Sequence, residues 1–195
     1  ELTLDGPTNT RQIAESELQG GSSARANAEI TSTTGFTFRF FVTGTGELKL
    51  DFEADTFLRA AIGNDGTFEN GNAQANMNAS FSLTQDTTGD AITWAPQGSA
   101  GNDCTVDAGL AGAGVVCNET SDSQDLNRNL SVSSNPSDAQ YSTAAGFTLF
   151  GIDITGLTSG AWTFALNSVT STSVRRVPEP GILALLGIGL IGIGA

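Results

Sequence analysis

From residue 24 onward apolar and polar residues alternate, the period-two signature of strands that bury one face. Phe36, Phe38 and Phe40 share one face of a strand predicted over residues 36–43. Thr43, Gly44, Thr45 and Gly46 make a turn. Leu48, Leu50 and Phe52 then point one way, while Glu47, Lys49, Asp51 and Glu53 point the other. The two segments read as a hairpin with one wet face. Residues 57–62 are a further strand, and 63–72 a loop. Ala73, Ala75, Met77, Ala79, Phe81 and Leu83 alternate with Gln74, Asn76, Asn78, Ser80, Ser82 and Thr84, the longest strand signal in the chain.

Residues 91–95 form a short strand holding Trp94, and 129–133 another. Between them, 96–125 reads as a long Gly-, Asp- and Asn-rich excursion, a length that needs a restraint in a compact domain. Phe147, Leu149, Phe150, Ile152 and Ile154 place a strand within 141–155. After a turn over 155–160, Trp162, Phe164 and Leu166 alternate with Thr163, Ala165 and Asn167, and this strand runs towards Val174. Residues 11–18 are read instead as a short helix. About eight to ten strands at this spacing predict an all-β fold, an antiparallel β-sandwich of jelly-roll or Greek-key type. The domain is expected over 1–174, with a separate segment at 175–195.

That last segment breaks the pattern. Val177, Pro178, Glu179 and Pro180 precede an unbroken apolar run from Gly181 to Ala195, whose bulk includes Leu185 and which is interrupted by Gly187, Gly189, Gly192 and Gly194. Pro180 suits the first turn of a helix. These 15 residues would rise about 22 Å as a helix, against a bilayer core of about 30 Å. A buried core helix would show a polar face, and this one shows none.

Composition narrows the function. The chain carries 21 acidic and 8 basic residues, a formal charge of -13, and no histidine. This argues against nucleic acid as a partner, since phosphate contacts need Lys and Arg patches, and disfavours anionic membrane surfaces. Histidine-dependent catalysis and His-ligated metals are excluded. Two cysteines, Cys104 and Cys117, are read as a local disulfide and hence an oxidising compartment, the alternative being two partly buried thiols. A zinc site lacks ligands. The chain begins at Glu1, and a secretory leader is expected to have been removed.

The tail resembles the PEP-CTERM sorting signal of Gram-negative surface proteins. In that family a Val-Pro-Glu-Pro box precedes a membrane helix and then a basic cluster. Residues 177–180 match the box in full, and the apolar run follows it, while no basic cluster appears before Ala195. The body also resembles exosortase-dependent surface proteins. It shares with them the alternating strand Asn76 to Thr84, the Asp86-Thr87-Thr88-Gly89 turn leading to Thr93-Trp94-Ala95-Pro96, and the Leu157-to-Trp162 turn. The resemblance implies export, processing by a membrane exosortase with at least transient residence in the inner membrane, and a place at the cell surface or in the extracellular matrix. It brings no catalytic residues.

The remaining chemistry is sparse. Asp51, Glu53 and Asp55 lie on one strand face, either as a solvated polar face or as a cation clamp, since calcium takes several oxygen ligands. Asn64, Asp65, Glu69 and Asn70 are a second place for calcium. Trp94, Trp162 and Tyr141 are either core residues or a carbohydrate-binding face. Asn78, Asn118 and Asn129 stand in glycosylation sequons that this composition produces by chance. No cofactor is expected. The reading is a non-enzymatic structural protein, a homo-oligomer or filament assembled through the Gly-spaced tail. The alternative is a surface-anchored carbohydrate- or calcium-binding module.

Overall fold

The structure is a computed structural model that describes residues 9–18, 27–63, 71–98, 101–133, 137–142 and 146–176. The predicted tail helix, the 177–180 box and the loop residues Asn64, Asp65, Glu69 and Asn70 lie outside the described residues. In chain order the elements are β1 (Asn9–Leu18), β2 (Asn27–Val42), β3 (Gly46–Ile62), β4 (Gly71–Gln85), β5 (Ala91–Trp94), β6 (Cys104–Val106), α1 (Ala108–Gly112), β7 (Val116–Asp122), β8 (Asn129–Val132), β9 (Ser137–Ser142), β10 (Thr148–Leu157) and β11 (Gly160–Arg176).

The all-β expectation holds for the described residues. One sheet runs β1-β3-β10-β7, with β9 also on β3; the other runs β2-β11-β4-β5-β6, with β8 also on β4. Pairing is antiparallel except between β1 and β3, which are parallel from Asn9↔Glu53 to Leu18↔Ile62. The alternating side chains of the two inner faces meet between the sheets. Phe52 of β3 stacks on Phe150 of β10, their ring centroids 5.1 Å apart. It reaches Phe81 of β4 across the core, also at 5.1 Å. Trp94 and Trp162, which the sequence left between core and carbohydrate face, are both buried.

Three sequence expectations are corrected. Residues 11–18 are strand, not helix: their Ala, Glu, Gln and Leu favour helix intrinsically, but pairing along β3 overrides that preference. The segments 36–43 and 46–53 are not a hairpin. β2 pairs with β11 and β3 with β10, so the turn at Gly44 (φ 74°) arches from one sheet to the other. Alternation looks the same in both arrangements, because apolar residues face a common core either way. The excursion at 96–125 is not one open loop, for it contains β6, α1 and β7.

Short strands share long neighbours. β9 pairs with Phe57–Ile62 of β3, and β10 follows on the same edge from Ala54 to Gly46. On β4, β8 covers Ala73–Asn76 and β5 covers Phe81–Thr84. Between those two, Asn127 substitutes for a strand. Its Oδ1 accepts from Ala79 N–H at 3.2 Å, while its Nδ2 donates to the carbonyls of Ala79 (3.1 Å) and Pro96 (2.9 Å). Met77 N–H finds the Arg128 carbonyl at 2.9 Å. The backbone of β4 is thereby satisfied where no ladder reaches it.

Candidate functional site

The 104–117 disulfide is formed, with Cα atoms 6.1 Å apart. It joins β6, at the edge of one sheet, to β7, at the edge of the other, and so ties the two sheets together on that side. Asn102 reinforces the seam. Its Nδ2 donates to the Cys117 carbonyl at 2.9 Å, and its Oδ1 accepts from the N–H groups of Cys104 and Glu119, both at 3.2 Å.

Three carboxylates gather behind this seam. Asp103 precedes β6, while Glu119 and Asp122 belong to β7, and one oxygen from each lies within 4.8 Å of the others. Backbone and core groups orient them. Glu119 accepts from the indole N–H of Trp94 at 2.7 Å and from Asp103 N–H at 3.0 Å. Asp122 Oδ2 accepts from Gly98 N–H at 2.8 Å and Gln97 N–H at 3.1 Å. Asp103 Oδ2 accepts from the same Gln97 N–H at 2.9 Å.

Asp122 Oδ1 is shut off from solvent and receives no hydrogen bond. Burial, followed by repulsion from Glu119, pushes the Asp122 carboxyl up to about 6 against the two backbone N–H bonds that favour its charge. Once protonated, Asp122 hydrogen-bonds Glu119.

The sign of the pH effect follows. Between its ordinary 3.8 and about 6, the folded state binds this proton more strongly than the unfolded chain. Stability from Asp122 is therefore fully present below the lower value and is lost as pH rises through the upper one. Asp122→Asn keeps an acceptor for the Gln97 and Gly98 N–H groups and adds a donor towards Glu119. It is expected to raise the melting temperature at pH 7 by a few degrees and to flatten its slope between pH 4 and 6. An unchanged slope in a thermal scan series would place the titration elsewhere.

The carboxylates named from sequence are not brought together. Asp51, Glu53 and Asp55 sit at alternate positions of β3, about 7 Å apart along the strand, and among the described residues only Asp103, Glu119 and Asp122 converge. Nearby, Lys49 spans Glu47 at 3.4 Å and Asp153 at 3.8 Å. The hydrogen bond to Glu47 raises the pKa of this exposed ammonium. Tyr141 is held from two sides: its hydroxyl accepts from Asp125 N–H at 2.6 Å, and Arg128 lies 5.3 Å above its ring. A sequence signal for the trio existed. Asp103 adjoins one cysteine and Glu119 follows the other by two, so a 104–117 disulfide draws them together.

Comparison with known proteins bears on the chain's other end. The family description "PEP-CTERM protein-sorting motif" matches residues 176–195. The chain carries a PEP-CTERM sorting signal. The PEP-CTERM motif implies an exported, exosortase-processed protein of the Gram-negative cell surface, and it begins at Arg176, the last residue of β11. No curated protein matches the chain in sequence. Among solved structures, the chain is similar to the infectious bursal disease virus Gt strain, with 14% identity, covering 78% of this chain and 38% of that one, at a TM-score of 0.13. It is also similar to the infectious bursal disease virus VP2 subviral particle, with 10% identity, 79% and 43% coverage, and a TM-score of 0.13. The chain thus spans under half the length of either, and so low a TM-score carries no argument about fold or function.

Proposed function

We propose that the protein is a non-enzymatic structural component of the cell surface or extracellular matrix, with its β-domain as the displayed part. The observation that carries this reading is the PEP-CTERM motif set directly after the last strand of a stapled β-domain. Asn102, Trp94 and the Gln97 and Gly98 amides all serve to hold the seam between β6 and β7 together. The finer form of the reading is a filament. The Gly-spaced tail packs against tails of other copies, as small residues allow helices to approach closely in membranes. Deleting residues 181–195 is expected to abolish fibres in negative-stain electron microscopy. Undiminished fibres would move assembly away from the tail.

A second reading, a calcium-binding surface module, is favoured by the Asp103–Glu119–Asp122 trio and its unpartnered buried oxygen. Hard cations take several oxygen ligands of this kind. On this reading millimolar calcium raises the melting temperature of the natural protein and not of Asp122→Asn. Equal melting with and without calcium removes it.

A further inference from the structure

β2 is the outermost strand of its sheet: one edge pairs with β11 along the whole length from Arg175↔Asn27 to Gly160↔Val42. Among the described residues nothing pairs with the other edge. Long edges of this sort template strand addition unless charged side chains (above all lysines), prolines or bulges blunt them. β2 has 16 residues, no proline and no lysine, and its pairing with β11 runs without a bulge.

It also exposes apolar side chains. Of the six large exposed hydrophobics among the described residues, Ile30 (69%), Phe36 (49%) and Phe41 (69%) stand on this one strand. Ile30 and Phe36 share parity with Phe38, Phe40 and Val42, the side that faces the core further along. The aromatic row Phe36–Phe38–Phe40 and Phe164 behind it therefore run out to an open margin.

We propose that this edge takes β2 of a second copy, antiparallel, about a two-fold axis at Thr34. Charge selects the register. Among the described side chains of β2 only Glu29 and Arg39 are charged, and both are exposed. Placing Thr34 opposite Thr34 sets Glu29 of each copy opposite Arg39 of the other, twice per dimer. The same register sets Ile30 beside Phe38 and Ser32 beside Phe36, so the inner faces run on as one surface. A shift of one pair in either direction, which would also keep the faces aligned, loses both ion pairs.

Arg39 donates to Asp86 through Nε at 2.5 Å, so in the monomer its guanidinium leans over β11; in the dimer its terminal nitrogens would turn to the partner's Glu29, the two carboxylates sharing its N–H donors. The seam would be about 50 Å long, with the self-complementary form of a two-fold interface. Opposed ion pairs and apolar pairs across such a seam add to the backbone ladder.

The test uses the full chain in mild detergent, which keeps the apolar tail from driving association. Sedimentation is expected to show a dimer. Arg39→Glu should weaken it about tenfold by setting like charges opposite each other, and the double variant Glu29→Arg, Arg39→Glu should restore it. Thr34→Cys should form a disulfide between copies under mild oxidation, because opposed residues bring their Cα atoms within bridging range. Thr31→Cys, which this register sets opposite Thr37, should not. A monomer at tens of micromolar overturns the proposal. So does a dimer indifferent to Arg39→Glu and uncrosslinked at 34, which would place the contact on another surface or on the tail.

Discussion

Replacing Cys104 and Cys117 together by serine, or reducing the protein, is expected to lower stability by about 3 kcal/mol, the chain-entropy value for a loop of this size. For a domain of this length that is about 6–12 °C in melting temperature. The loss concentrates at the seam. Without the covalent tie, β6 and β7 are held together by Asn102 and by carboxylates that repel one another. Above about pH 6, where Asp122 is charged, reduction should therefore be more damaging than below it. Thermal melts with and without reductant at pH 5 and pH 8 check both statements. Equal melting in all four conditions would mean that the sheets close without the bridge.

Asn127→Ala is the second large effect expected. It removes the partner of the Ala79 N–H and the donor to the Ala79 carbonyl, while the Pro96 carbonyl keeps the Leu126 N–H at 3.1 Å. Unpaired buried backbone groups cost about 1–3 kcal/mol each, and water entering the gap recovers part of that. The expected net loss is about 2–4 kcal/mol. Asn127→Asp is the informative companion. It keeps an acceptor for Ala79 N–H but turns a negative oxygen towards two carbonyls, so it should be no better than alanine. Urea titration reads the loss as a lower midpoint at constant slope. A midpoint within experimental error of the natural protein would show that water alone seals β4.

These two positions show where sequence reasoning reaches and where it stops. The alternation along Ala73–Leu83 and Trp162–Leu166 was legible because one face of each strand is buried against a continuous core. The cysteine pairing was legible from count and spacing. The arch between β2 and β3 was not, since side-chain period carries no information about which sheet a strand joins. The strand at Asn9–Leu18 was hidden by residues that prefer helix, its conformation being imposed by the neighbour at Glu53–Ile62. The role of Asn127 was invisible for a related reason: an asparagine in a loop reads as a turn former until its amide is seen facing a strand. The carboxylate trio lay in between, implicit in the cysteine pairing but scattered over 20 positions of sequence from Asp103 to Asp122.

The place of β11 has a consequence in time. It lies between β2 and β4, which do not pair with each other, and it is the last described strand of the chain. A chain made or exported from its N-terminus therefore carries two long strands of this sheet, 16 and 15 residues; until residues 160–176 arrive, β2 has no partner among the described residues and β4 has only the short strands β5 and β8 on its other edge. Closing contacts this distant in sequence is slow. The sorting motif follows that strand without a gap. The sequence that addresses the protein for processing thus emerges only after the piece that lets its body finish folding, so the order of the chain itself puts folding ahead of the address.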